Sequence, residues 1–230
     1  MSLLVSVTLK HFTVIVSDGL KVRVENGALV KTDEGSCKYW TVGNGDIAMG
    51  STGSALMSEL ISDFSIKLAE QHRDNPELFS ILAKAVPEEL LRLNKLFPMS
   101  IEYLDGAESI NLGGTNLLMV GYDASQQRIR SLFWGYQGIK SDDLTPHDCA
   151  NEIQAAGCGK AVALVMEKLD VTDGLGGPGP WDVESSVKNV IQQAAEAFPK
   201  FVGGTIYSHV ISTPDLKSIY EEIKRDRQNS

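Results

Sequence analysis

Cysteine is scarce. Cys37, Cys149 and Cys158 are the only thiols in 230 residues. An odd count of three argues against a disulfide framework and suits reduced thiols in a reducing compartment. No CxxC or HExxH pattern occurs. His147 and Cys149 stand close together in His-Asp-Cys, but two ligands do not close a zinc site, so neither a metal nor a cofactor is expected. Basic charge is short as well. Against 30 Asp and Glu there are 21 Lys and Arg, a net charge of -9. Nucleic-acid binders carry a basic face, so no nucleic-acid partner is expected. No apolar run approaches the roughly 20 residues of a membrane span. The first residues lack the charged, apolar and small-residue regions of a secretory signal. The expectation is a cytoplasmic protein with no membrane partner.

What is present is ordinary globular material, 43% hydrophobic and 22% charged. That suffices for one sizeable core. No repeat, low-complexity segment or convincing linker divides the chain, so a single domain over 1–230 is expected.

The pattern along the chain comes in blocks. Residues 3–9 and 12–18 are rich in β-branched side chains, with a Lys10-His11 turn between them, and predict two strands. Residues 20–32 alternate apolar and polar around Asn26-Gly27, a hairpin turn signal. Residues 38–43 and 46–50 continue the sheet. From Gly53 to about His72, Leu56, Leu60, Ile61, Phe64 and Leu68 share a helical face. A second helix opens at Asn75-Pro76, and Pro87 is expected to break or restart it. Strands return weakly at 100–105 and strongly at 115–123 and 128–136, the last two forming a hairpin. A small Ala-Ala-Gly-Cys-Gly loop leads into a helix over 160–169, and 172–180 is a glycine-rich loop. An amphipathic helix over 181–198 points Val183, Val187, Val190, Ile191 and Ala194 or Ala195 inward. A strand over 201–213 and a charged helix from Pro214 complete the order. Strands, helices, strands, helices, strand is not the alternation of a doubly wound parallel sheet. It fits an α+β fold, two antiparallel sheets between two helix layers.

One stretch, 43–60, resembles a phosphate loop, because an apolar run meets a Gly/Ser loop that opens a helix. Gly45 and Gly50 have Walker spacing, but Ser51 occupies the position where a lysine must reach the phosphates. The stretch 43–60 lacks the GxGxxG pattern of dinucleotide sites too, and prolines in the later Gly-Leu-Gly-Gly-Pro-Gly-Pro remove amide donors. The stretch reads instead as a close-packed turn where a strand edge meets a capped helix start.

Five segments in order resemble the β-type subunits of the proteasome, a group that includes the bacterial ATP-dependent protease with proteasome-like chambers. These are 12–19, ending at Asp18; 37–55, with Lys38, Gly50 and Gly53; 117–134; 155–169, around Cys158; and 201–212. The resemblance covers nearly the whole chain. It implies the four-layer αββα sandwich of the N-terminal-nucleophile hydrolases, a homo-oligomer, and a peptide or protein substrate where the subunit is active. In that family an N-terminal Thr attacks the peptide carbonyl, and its own α-amine, with a pKa of roughly 8, takes the hydroxyl proton. The resemblance places the family's Asp and Lys at Asp18 and Lys38, and its substrate-cleft backbone at Gly50 and Gly53.

Counting back sixteen residues from Asp18, the family spacing, reaches Ser2, which becomes an N-terminal nucleophile only after Met1 is removed. Met-Ser-Leu also has the look of an added leader, in which case Ser2 is not native. Cys158 stands at the serine of the family's Gly-Ser-Gly loop. Pro199 and Val202 stand where the family has the Asp and Ser that flank the amine, and neither side chain can make a hydrogen bond. Two readings remain: a non-catalytic or degenerate subunit acting through assembly, in which Asp18 and Lys38 persist as a buried ion pair, and an active hydrolase using Ser2.

Overall fold

Two runs of β-branched residues, Leu3–Thr8 (β1) and Phe12–Ser17 (β2), pair antiparallel with Leu4 opposite Ser17, and every residue of both strands is buried. Burial along the full length means that both faces are covered. The computed structural model describes residues 3–25, 28–97, 102–105, 108–111, 114–169 and 179–218. After β2 come a hairpin, β3 (Lys21–Glu25) and β4 (Ala28–Asp33), then β5 (Tyr39–Val42) and β6 (Ile47–Thr52). Two long helices follow, α1 (Ala55–Gln71) and α2 (Leu78–Leu96). The next strands are β7 (Glu102–Asp105), β8 (Glu108–Asn111), β9 (Asn116–Asp123) and β10 (Arg128–Trp134). A short α3 (Tyr136–Lys140) leads to β11 (His147–Asp148) and β12 (Ile153–Gly157). The chain continues through α4 (Gly159–Lys168), α5 (Pro180–Ala197) and β13 (Tyr207–Ser212).

The strands form two main antiparallel sheets. One has the order β12-β1-β2-β13 and the other β11-β10-β9-β6-β5. Three apolar layers follow from their alternation. Leu3, Val5, Val14 and Val16 face α4 and α5, where Val165, Val187 and Ile191 meet them. Met49, Leu117, Met119 and Trp134 face α1 and α2, against Ile61, Phe79, Leu82 and Leu90. Between the sheets lie Leu4, Ile15, Ala48, Leu118, Val120, Ile129 and Ile211. The arrangement is an αββα sandwich, as the order of the elements predicts.

Several local expectations are corrected. Pro87 does not break its helix; α2 runs continuously through it. An interior proline costs about 3 kcal/mol, but Pro87 is buried in a face that also buries Leu82, Val86, Leu90 and Leu93, and tertiary packing outweighs that cost. On α1 the fully buried face is Met57, Ile61, Ser65 and Ala69, while Leu56 is exposed. The last strand begins at Tyr207 rather than 201. The hairpin ends at Trp134, because Tyr136 already starts α3. Part of the expected loop before α4 is strand β12, which pairs with β1 from Leu3↔Gly157 to Val7↔Ile153. The Asn26-Gly27 turn, most of the 172–180 loop and the C-terminal helix beyond 218 lie outside the described residues.

Candidate functional site

Asp18 and Lys38 come near one another where one end of β1, β2 and β13 meets the start of β5. Asp18 follows the last residue of β2 and is fully buried. Its Oδ1 accepts the Leu3 N–H at 2.8 Å. Its Oδ2 accepts the Gly203 N–H at 3.1 Å and the Leu20 N–H at 3.3 Å. One carboxylate thus ties together the start of β1, the turn after β2 and the segment entering β13. Burial pushes its pKa up to about 6, and the Leu3 and Gly203 N–H groups and the Lys38 charge hold it back from rising further.

Lys38 precedes β5 and is half-buried, its backbone N–H donated to Ser17 Oγ at 3.3 Å. Burial lowers the pKa of its ammonium, while the attraction of Asp18 opposes that shift. Among the described residues Lys38 Nζ makes no ion pair or hydrogen bond, so the two charges act on one another through space. Ser17 also lies 3.9 Å from the exposed Cys37 Sγ. Sequence reasoning missed Ser17. The signal was available in the alternation of β2, where Thr13, Ile15 and Ser17 occupy one face and Phe12, Val14 and Val16 the other.

Gly50 lies inside β6, paired with Tyr39 on one side and Leu118 on the other. A Cβ there would stand 2.7 Å from Leu4 Cδ2 and 3.1 Å from the Lys38 carbonyl oxygen. Gly53 has φ +116°, and a Cβ would fall 1.7 Å from the Gly114 carbonyl oxygen. Both glycines therefore permit close approach beside Lys38 and at the start of α1, where Ser54 Oγ accepts the Met57 N–H at 3.4 Å. Cys158 and Val202 are buried in the layer facing α4 and α5, and Pro199 is exposed. Ser2 lies outside the described residues.

A second group assembles at the opposite edge of the sandwich. His147, Cys149 and Glu152 bring their ligand atoms within 4.8 Å of one another. The sequence offered only the first two as neighbours; the third arrives through a turn.

No protein-family model and no curated protein matches the sequence. The fold does have a solved counterpart. The crystal structure of eukaryotic HslV from Trypanosoma brucei superposes with a TM-score of 0.57 at 16% identity, over 91% of this chain and 99% of that one. The fold is that of the proteasome-like N-terminal-nucleophile hydrolases. No helix among the described residues is long and apolar enough to cross a membrane.

Proposed function

We propose that the chain is a proteasome-like subunit that assembles with copies of itself and is degenerate as a threonine peptidase. The observation that carries this reading is the chemistry around Asp18. By the resemblance, the positions that would flank an N-terminal amine hold Pro199 and Val202, and the serine position of the Gly-Ser-Gly loop holds Cys158. Two of these are buried in the helix-side core, and Pro199 offers no side-chain donor or acceptor. Asp18 meanwhile accepts three backbone N–H groups and serves as a clip between chain segments. Exposed apolar residues on the helix layers, Leu96 at 59%, Met166 at 49%, Phe97 at 46% and Leu56 at 45%, support self-association.

One observation favours the catalytic reading. The Leu3 N–H sits on Asp18, so the chain enters β1 beside that carboxylate, and Lys38 has a lowered pKa close by. A hydroxyl or thiol on a freed residue 2 would then stand next to both charges, and Gly50 and Gly53 would border a peptide cleft.

The test combines the intact mass of the native chain, hydrolysis of fluorogenic peptides, and size-exclusion chromatography with light scattering. The degenerate-subunit reading expects no hydrolysis and a particle larger than a monomer at micromolar concentration. Peptide hydrolysis that disappears in Ser2→Ala overturns it in favour of the active hydrolase. A strict monomer overturns the assembly role.

A further inference from the structure

The group at the far edge of the sandwich is held by backbone from both sheets. Cys149 N–H donates to the Ser131 carbonyl of β10 at 2.9 Å, in the five-stranded sheet. The Glu152 carbonyl accepts the Thr8 N–H of β1 at 3.1 Å, in the four-stranded sheet. Between them the chain turns tightly. Glu152 N–H donates to the Cys149 carbonyl at 3.2 Å, and Asn151 has φ 58°. The third residue of a type II turn needs a positive φ, which Asn tolerates better than most residues. That turn swings the Glu152 carboxylate back to His147, and His147 Nε2 lies 3.0 Å from Glu152 Oε2. Gln154 Nε2 donates to the same oxygen at 3.4 Å and orients it. Cys149 Sγ completes the group, donating to the His147 carbonyl oxygen at 3.4 Å.

We propose that His147, Cys149 and Glu152 form a three-ligand site for a borderline divalent cation of the zinc class, clipping the edge of one sheet to the edge of the other. The donor set selects the metal. Thiolate, imidazole and carboxylate together suit Zn²⁺ or Co²⁺ and do not suit Ca²⁺ or Mg²⁺. The spacing is suitable as well. A tetrahedral ion with bonds of about 2.0–2.3 Å holds its donors about 3.3–3.8 Å apart, and the three donors already lie within 4.8 Å of one another. His147 and Glu152 are exposed and Cys149 is buried, so the ion is reached from solvent and keeps a fourth position for water. Thiolate is the metal-binding form of cysteine, so binding exchanges the Cys149 thiol proton for a metal–sulfur bond, and the proton leaves to solvent.

The test uses the untagged full chain titrated with Co²⁺, then competed with Zn²⁺. A single equivalent should give a thiolate-to-cobalt charge-transfer band with tetrahedral d–d intensity, and Zn²⁺ should bleach both. His147→Ala and Glu152→Gln alter exposed side chains and should keep the circular dichroism of the wild type. Each should weaken Co²⁺ by at least about 10-fold, and Gln154→Ala by about 10-fold through the orienting hydrogen bond. Cys149→Ala should abolish the charge-transfer band. Because this cysteine is buried, the two exposed variants carry the decision if it fails to fold. Cys37→Ala should leave the band intact. Zn²⁺ should raise the melting temperature of the wild type and of Cys37→Ala, but not of His147→Ala. Absence of the band in the wild type, its survival at full strength in both His147→Ala and Glu152→Gln, or its loss in Cys37→Ala overturns the proposal.

Discussion

Asp18 should make the protein less stable, not more, as pH rises from about 4 toward neutrality. Its ordinary value is 3.8 and burial raises it to about 6. A carboxyl raised in the folded state binds its proton more tightly there than in the unfolded chain. Its contribution to stability is fully present below the unfolded value and is lost as pH climbs through the folded one. The gap between 3.8 and about 6 corresponds to about 3 kcal/mol in full, of which about 2.4 kcal/mol falls between about pH 4 and about pH 7.5. The perturbation is Asp18→Asn, which keeps the shape and removes the titration. It also turns one oxygen into a donor facing the N–H of Leu3, or those of Leu20 and Gly203, so its absolute stability falls. The informative quantity is the difference between the two proteins as a function of pH, since groups that do not interact with Asp18 cancel and Lys38 alone carries a direct coupling to it. Urea unfolding followed by the fluorescence of the buried Trp134, at fixed protein concentration, measures it. The wild type should lose about 2 kcal/mol relative to Asp18→Asn across that window. Parallel curves, or a wild type that gains on the variant, would refute the reasoning. That result would mean the three N–H groups outweigh desolvation and hold the carboxylate ionised.

Two further stability predictions test the frame. Gly53→Ala should lower the urea midpoint by an amount equivalent to at least about 2 kcal/mol, because its Cβ would meet the Gly114 carbonyl, which is backbone, at a φ that L-residues avoid; an unchanged midpoint would contradict this packing. Arg130→Ala should cost about 3 kcal/mol, since it strips the guanidinium, 3.0 Å away, from the fully buried Asp123 carboxylate. Burial opposes ionisation of that carboxylate, but the Ser125 hydroxyl and Arg130 hold its pKa below the usual range. The stability from this pair is therefore present above the ordinary carboxylate value and lost as pH falls through the lowered one. Loss of Arg130 should flatten the acid limb of the wild-type stability curve, and an unchanged limb would count against the pairing.

Much of the fold was legible before any coordinate. The unbroken β-branched runs at 3–9 and 12–18 and the 3.6-residue spacing of Val183, Val187, Val190 and Ile191 follow from local periodicity, and each element formed where the pattern put it. The block order implied two sheets between helix layers, because each strand run has apolar residues for both faces. Failures came where tertiary packing overrode local preference. Pro87 stays helical because its face is buried. β12 exists because β1 offers a free edge, although Gln154-Ala-Ala-Gly carries almost no strand propensity.

The two candidate sites divide in the same way. The sequence alone determined that Asp18 and Lys38 were available, that a Walker lysine was not, and that Pro199 and Val202 could not hydrogen-bond through their side chains, since residue chemistry is fixed by identity. Tertiary structure decided what those groups meet. Asp18 gathers N–H groups from residues 3 and 203 because antiparallel pairing brings those distant segments to one sheet end, and from residue 20 through the turn that follows it. Glu152 joins His147 and Cys149 because one turn with a left-handed Asn151 reverses the chain between two sheet edges. Side-chain identity sets which chemistry a position can perform; pairing and turns set the distances over which charges and donors act, and those distances exist only in the folded chain.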